Sequence, residues 1–323
     1  MKRILLIKTS SLGDVVHNLP IVNDILKHFP DALIDWVLEE SFADIPRLHP
    51  NVNQIFTVAM RRWRKALFQC KTWQELKQAK QQIASQPYDL VIDTQGLIKS
   101  AVIASIATGH KHGYDKNSIR EPLASRFYTH THAISYLQHA VIRNRTLAAL
   151  SLGYLPPTDA PDYGIADCQI LPKELVALLN QPYMMALHGT SRDSKLWPES
   201  HWVAVGKAMS SKGLSMVLPW ASTAEQTRAK NIAAQVENAI VLPKLSISTL
   251  APVISKAKIA IGVDTGLSHL ATALDIPTIA IYTDTDPART GVMAGKKAQA
   301  INLGNKNIIP SSEEVLNHVA QII

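Results

Sequence analysis

Three polar stretches in the C-terminal half carry the residue types that hold a diphosphate. The first is Ile261–Leu274, IGVDTGLSHLATAL. It reads as the end of a buried strand, a tight loop and a helix opening at Leu267. Asp264 and Thr265 are good helix caps, and Gly266 lets a ligand approach the backbone closely. A helix start presents unpaired N–H groups and partial positive charge, which favour phosphate. His269, on the first turn, can reach back toward that position. The second stretch is HGTSRDSK, from His188 to Lys195. It brings the hydroxyls of Thr190 and Ser191 and the cations Arg192 and Lys195 ahead of Trp197-Pro198. The third, LPWASTAE, ends on Glu225, an acid one turn into a helix that can accept from a ribose diol. Each alone also reads as an ordinary capped helix or solvated loop. Three such loops in one half favour the phosphate reading.

The N-terminal half offers a different chemistry. TSSLGD follows the first apolar run and ends on Asp14. Asp14 suits a helix cap, and it also lies where a carboxylate could take a proton from an attacking hydroxyl. Asp93 and Asp264 are the other carboxylates to consider as a base. Arg61, Arg62, Arg64 and Lys65 interleave with Trp63, Leu67 and Phe68. That mixture suits an anionic, partly apolar partner, and a solvated helix start is the plain alternative. Arg120, Arg143 and Arg145 add positive charge. There is no GxGxxG after Arg3–Lys8 and no GxxxxGK[ST], so the usual dinucleotide and P-loop fingerprints are missing. The acidic run Asp284–Asp286 reads as a turn rather than a metal site.

The elements that position these residues alternate. Strands are predicted at Arg3–Lys8, Leu33–Leu38, Gln54–Val58 and Tyr88–Asp93. Helices are predicted over Val15–His28, Trp63–Ala84, Leu97–Ala107 and His139–Leu150. Trp73, Leu76 and Ile83 are expected to point inward. A second series follows, with strands at Tyr183–Leu187, Ser215–Leu218, Ala239–Leu242, Lys258–Ile261 and Thr278–Tyr282. Its helices are expected over Glu199–Ser210, Ala224–Gln235, Ile247–Ser255 and Leu267–Leu274. Strands alternating with helices imply α/β layers with a parallel sheet. The proline-bearing stretch Gly153–Ile170 reads as a linker. The expected division is residues 1–160 and 183–310, joined by a linker region over 161–182. The amphipathic helix 311–323 is expected to pack back on the first domain. Two such domains would face each other across a cleft, ligands binding at the carboxyl ends of the strands.

At 323 residues and 46% apolar content, the chain can bury two cores. No run approaches about 18 uninterrupted apolar residues, so no spanning helix is expected. The apolar start is too short for a signal peptide. Cys70 and Cys168 form no motif with each other, and a cytoplasmic protein is the expectation. The net charge of +7 is lopsided, with 19 Lys and Arg against 13 Asp and Glu in residues 1–160, and 14 against 13 thereafter. An anionic partner for the first half follows.

KTSSLGDVVHNLP, RRWRKA, DTQGLIKSA, REPLAS, the WP pair, LPW, VDTGLSHL and TDP stand in this order. In that combination the chain resembles the lipopolysaccharide heptosyltransferases of glycosyltransferase family 9. RRWRKA and REPLAS point to the type I branch. The resemblance implies a GT-B architecture of two Rossmann-like domains. It implies an inverting transfer of L-glycero-D-manno-heptose from ADP-heptose to the inner Kdo of Kdo2-lipid A, with no cofactor. By motif, Asp14 would be the general base. Thr190, Ser191 and Lys195 would hold the diphosphate, and Lys195 would offset leaving-group charge. Glu225 would take the ribose. Asp264, Thr265, Gly266 and His269 would line the diphosphate and heptose. Ser10, Arg61, Arg62, Arg64, Lys65 and Arg120 would meet the acceptor. Ser191 stands where the family pattern has a second threonine, and Glu225 is followed by Gln226-Thr227 rather than more acid. The implied setting is the cytoplasmic face of the inner membrane, touched peripherally. A related heptosyltransferase or a nucleotide-sugar epimerase is the alternative. A nucleic-acid partner would not need the three phosphate loops.

Overall fold

The computed structural model describes residues 1–165 and 170–322. It divides into two units, Met1–Gly164 and Ile165–Ile323. Cys168 and part of the expected linker lie outside the described residues. Just beyond, Lys173–Leu178 is a short helix inside the stretch expected to link the domains.

The first unit holds strands β1 (Arg3–Ile7), β2 (Leu33–Glu39), β3 (Gln54–Val58), β4 (Leu90–Asp93), β5 (His110–Tyr114) and β6 (His130–His132). They form one sheet in the order β3-β2-β1-β4-β5-β6, every pair parallel. The second holds β7 (Tyr183–Leu187), β8 (Ser215–Leu218), β9 (Ile240–Val241), β10 (Ile259–Val263), β11 (Thr278–Tyr282) and β12 (Ala300–Gly304). Their order is β12-β11-β10-β7-β8-β9, again all parallel. Each is the doubly wound order of a Rossmann fold. The central strands explain themselves: Ile4–Ile7 and Met184–Ala186 are wholly buried, as helices on both faces require of a parallel sheet.

Three strands were illegible in the sequence, and two helices differ from expectation. The sequence shows no strand at β5 (HKHGY), β6 (HTH) or β12 (AINLG). All three lie toward a sheet edge, where a strand needs less apolar content. The single helix expected over Val15–His28 is two, Leu12–Val16 and Pro20–His28. Pro20 lacks an N–H and occupies the first turn of the second, where none is needed. Trp63–Ala84 also divides, into Met60–Trp63 and Cys70–Ala84. The turn between is tied by Thr72 Oγ1 donating to the Ala66 carbonyl at 2.8 Å. Ile83 is buried and Leu76 partly so, but Trp73 points out, its Nε1 donating to the Leu67 carbonyl at 2.8 Å.

The C-terminal helix Ser312–Ile322 falls within the second unit. Val315 and Val319, one turn apart, fill the second unit's core with Trp197 and Trp202. Two valines at that spacing give a narrow apolar stripe, and the helix Glu199–Ser210 covers it. Arg145 is no surface charge. It is buried, its guanidinium donating to Asp24 at 2.7 and 3.0 Å and to Asp159 Oδ1 at 2.9 Å.

Candidate active site

In a doubly wound sheet the crevice opens at the carboxyl ends of the strands, where the strand order reverses. That point lies between β1 and β4 in the first unit and between β7 and β10 in the second. Register brings the strand ends level: Ile7 pairs with Asp93, and Leu187 with Gly262. The loops singled out by residue type leave from these ends.

In the second unit, Asp264 knots three loops together. The Lys195 ammonium, in the turn Asp193–Lys195, donates to Asp264 Oδ2 at 2.6 Å. Thr285 Oγ1 donates to the same oxygen at 2.7 Å, and Thr190 Oγ1 to the Asp264 carbonyl at 2.9 Å. Loops after β7, β10 and β11 thus meet at one carboxylate. The helix Gly266–Ala273 begins beside it, its cap residue Thr265 making no side-chain capping bond. The Thr265 side chain therefore leaves this helix start without a side-chain cap, the Ser268 amide turning to the Thr265 carbonyl at 3.1 Å, and the helix start favours a phosphate. His269 is buried on the first turn. Gly262 fixes how tightly the helix returns, because a Cβ there would strike Ser268 Oγ.

Glu225 closes this group from the side. It accepts from the Ala221 amide at 2.7 Å and the Ser222 amide at 3.2 Å through Oε2, and Ser222 Oγ caps its own amide. Its carboxyl presses on Gly189, where a Cβ would lie 3.0 Å from Oε1. It therefore caps its helix and also adjoins the loop carrying Thr190. Ser191 is exposed beside it. The acidic run after β11 takes up local bonds. Asp284 accepts from Ser194 Oγ at 2.7 Å, and Asp286 caps the helix Pro287–Thr290. His188, wholly buried at the end of β7, has its pKa lowered to about 4, first by burial and then by the Arg228 charge.

In the first unit, Asp14 is not the helix cap expected from its position. Ser11 is the cap, and Asp14 stands three residues on as its partner. Asp14 Oδ2 accepts from the Ser11 amide at 2.7 Å and from Ser11 Oγ at 3.0 Å. Oδ1 has no protein partner among the described residues, and the side chain is half-buried. The loop is braced from β4: Gln95 Oε1 accepts from the amides of Thr9 and Ser10 at 3.0 and 3.1 Å. Gly96 supplies the left-handed turn that this needs, at φ 68°. Lys99 Nζ donates to Ser10 Oγ at 3.3 Å, and buried Lys8 donates to the Thr94 carbonyl at 2.8 Å. Burial lowers the Lys8 pKa, while Asp14 and Asp93 act to raise it.

Asp93 does not suit a cleft-facing base. It is wholly buried and accepts from Tyr128 OH at 2.8 Å and from the Gln95 and Gly96 amides at 2.8 and 3.2 Å. Burial raises its pKa. It shapes the β4 loop.

The basic run separates into two kinds of residue. Arg62 is committed, donating to Glu40 at 3.0 and 3.1 Å and to Glu75 at 2.7 Å. Those bonds raise its pKa, and Glu75 is held below its usual range first by the Trp63 hydrogen bond and then by Arg62. Trp63 is buried, with Nε1 donating to Glu75 at 2.7 Å. Arg61 lies over the Phe42 ring at 5.0 Å. Arg64, Lys65 and Arg120 are exposed, without protein partners among the described residues.

Sequence reading passed over Gln95, Lys99, Lys8 and Thr285. Gln95 and Lys99 stand in DTQGLIKSA and Thr285 in the TDTDP segment. The strand order supplies the signal, since it makes the loop after β4 the neighbour of the loop after β1.

Two doubly wound units, one with a diphosphate-type loop cluster and one with a braced carboxylate, define a GT-B glycosyltransferase. The family model described as glycosyltransferase family 9 (heptosyltransferase) matches residues 76–317. The chain belongs to this family. It is 42% identical to lipopolysaccharide heptosyltransferase 1 of Escherichia coli (strain K12) over 327 residues, covering 99% of this chain and 100% of that one. It is 46% identical to the protein of the same name from Pseudomonas aeruginosa, covering 90% of this chain and 81% of that one. Among solved structures, E. coli heptosyltransferase WaaC with ADP matches at TM-score 0.92 and 41% identity, over 99% of this chain and 100% of that one. The same enzyme with ADP-2-deoxy-2-fluoro heptose matches at TM-score 0.88 and 41% identity, over 99% of both chains.

Proposed function

We propose that this protein transfers L-glycero-D-manno-heptose from ADP-heptose to the inner Kdo of Kdo2-lipid A, with inversion at the anomeric carbon. The knot of Lys195, Thr190 and Thr285 on Asp264, beside a helix start with no side-chain cap from Thr265, carries this reading. A diphosphate there meets amide donors and an ammonium held in place before the ligand arrives. Transfer passes through an oxocarbenium-like state while ADP departs with growing negative charge. Donors fixed beforehand stabilise that charge without reorganising. Lys195 and the helix amides are the groups assigned to this task, so the reading calls for no metal or other cofactor. Glu225 takes the ribose hydroxyls.

Asp14 takes the proton of the acceptor hydroxyl through Oδ1, while Ser11 holds Oδ2. Arg61, Arg64, Lys65 and Arg120, with Ser10, meet the anionic acceptor. Arg62 acts through the turn it anchors. The names and bound ligands of the relatives support the donor and the class of reaction. No helix among the described residues is long and apolar enough to cross a membrane. The proposed working place is the cytoplasmic face of the inner membrane, reached peripherally by the basic side of the first unit. The test is ADP release from ADP-heptose with and without Kdo2-lipid A. Release that depends on acceptor, with a heptosylated product, supports the assignment, and release indifferent to acceptor refutes it.

A further inference from the structure

The first unit contains an open cavity of about 640 Å³ between β3, the basic turn and the helices Cys70–Ala84 and Ile98–Ile106. Its walls are apolar, formed by Val58, Trp63, Leu76, Ile83, Val102 and Ile106 among others. Protein interiors normally close such spaces, because an unfilled apolar void forfeits contacts. A cavity of this size falls in the range of small-molecule sites, roughly 300–1,000 Å³. Leu67 and Val102 line it while remaining 49% and 47% exposed.

Charge around this apolar space is mostly positive. Arg61, Arg64, Lys80 and Lys99 all contribute to the lining. The one carboxylate there, Glu39, already accepts from the Arg61 amide at 3.1 Å. Lys80 and Arg64 have no protein partner among the described residues. An uncharged hydrocarbon would have no use for these cations, and a free phosphate would have none for the apolar walls. Lys99 also points the way to the reaction. It lines the cavity and donates to Ser10 Oγ at 3.3 Å, one residue before the Ser11 that holds Asp14.

We propose that this cavity takes an acyl chain of the lipid acceptor, its anionic head group held at the mouth by Arg61, Arg64, Lys80 and Lys99 and so delivered toward Asp14. The inference rests on the proposed acceptor being a lipid. It adds that the protein grips the lipid tail as well as the sugar.

The test uses the full chain, acylated and fully deacylated forms of one acceptor, and two variants at the mouth. Val102→Trp fills the cavity, and Leu67→Gln puts an uncharged polar group at its lip, leaving the charge of the mouth as it is. Each should raise KM for the acylated acceptor at least roughly tenfold, the equivalent of about two buried methylenes. Both should leave KM for the deacylated acceptor and for the donor within about twofold. In a second arm, tetradecyl phosphate and inorganic phosphate are titrated by calorimetry against the parent and each variant. The parent should bind the alkyl phosphate well above inorganic phosphate, and the variants should lose that advantage. Melting curves show whether Val102→Trp folds; if it does not, Leu67→Gln decides. An unchanged KM for the acylated acceptor overturns the proposal, as does an equal rise for both acceptors. So does alkyl phosphate binding with no effect on acylated-acceptor KM, which would assign the cavity to another lipid. If the parent turns over neither acceptor, the functional reading has failed, and the binding arm still judges the cavity.

Discussion

The Lys195 ammonium lies 2.6 Å from Asp264 Oδ2, so the cation best placed for a leaving diphosphate is held by a carboxylate before any ligand binds. The side chains are 19% and 13% exposed, which leaves the pair accessible but oriented. Thr285 shares the same oxygen. An orienting carboxylate costs some of the cation's attraction for phosphate and fixes its position, which matters more for the transition state than for ground-state binding.

Lys195→Ala should therefore lower kcat more than it weakens ADP binding. Removing one preorganised donor typically costs about 10²–10³ in turnover. Steady-state kinetics at saturating donor, with ADP affinity measured separately, reads both. Near-normal kcat would take Lys195 out of the chemistry.

The basic run should divide in function as it does in structure. Arg64→Ala together with Lys65→Ala should raise acceptor KM, and the effect should fade at high salt because exposed charges are screened. Arg62→Ala should act differently. It unties Glu40 and Glu75, so it should lower the melting temperature and show little salt dependence in acceptor KM. If Arg62→Ala behaves like the other two, its ion pairs open to receive the acceptor.

Much of this arrangement was legible because each cue was local. β7, β8 and β11 and the helices Glu199–Ser210 and Ile247–Ser255 fall where periodicity and caps place them. The three phosphate-type loops were legible from residue type at strand ends. What escaped was set by tertiary partners. Nothing around Asp14 in sequence tells that Ser11 takes the cap and that Gln95, over 80 residues away, braces the loop. Arg62 and Arg64 look alike in a charge run, and only the approach of Glu40 and Glu75 makes one structural. The C-terminal helix has a stripe too narrow to name its partner. The apolar cavity belongs to the same class: its walls come from segments spanning residues 39–106, none of them unusual alone.

Stability should depend on pH through buried histidines. His49, His112 and His188 each have a pKa lowered to about 4, with burial the main cause. In the unfolded chain they titrate near 6.5. Between those values the unfolded chain binds more protons, so stability is complete above about pH 6.5 and falls as pH drops toward 4. His188 is wholly buried, and its displacement alone is worth on the order of 3 kcal/mol. His188→Gln should flatten the slope of melting temperature between pH 6.5 and 4. A parent whose melting temperature is level across that range would contradict the assignment.

Asp14 separates structural from chemical roles most sharply. Its Oδ2 completes the reciprocal cap with Ser11, and Oδ1 stays open. Asp14→Asn keeps an oxygen that accepts from the Ser11 amide, so the helix start should survive and the melting temperature should barely move. The amide cannot take a proton. Losing a general base typically costs about 10²–10⁴ in rate, so heptose transfer should slow at least about 100-fold while ADP binding is unchanged. Asp14→Ala should lose both functions, with a further cost of around 1 kcal/mol in stability from the broken cap. Turnover and melting temperature, scored for both variants, separate the roles. Loss of activity in Asn without loss of stability identifies the base. Full activity in Asn leaves Asp14 only as the partner of Ser11 at the helix start. The alternatives are then few: Asp93 is buried with Tyr128 and two amides on it, and Asp264 is spoken for by Lys195 and Thr285. In that outcome the proton would have to leave to water or to an acidic group of the acceptor itself, and the rate should then depend on the acceptor's own carboxylates rather than on this residue.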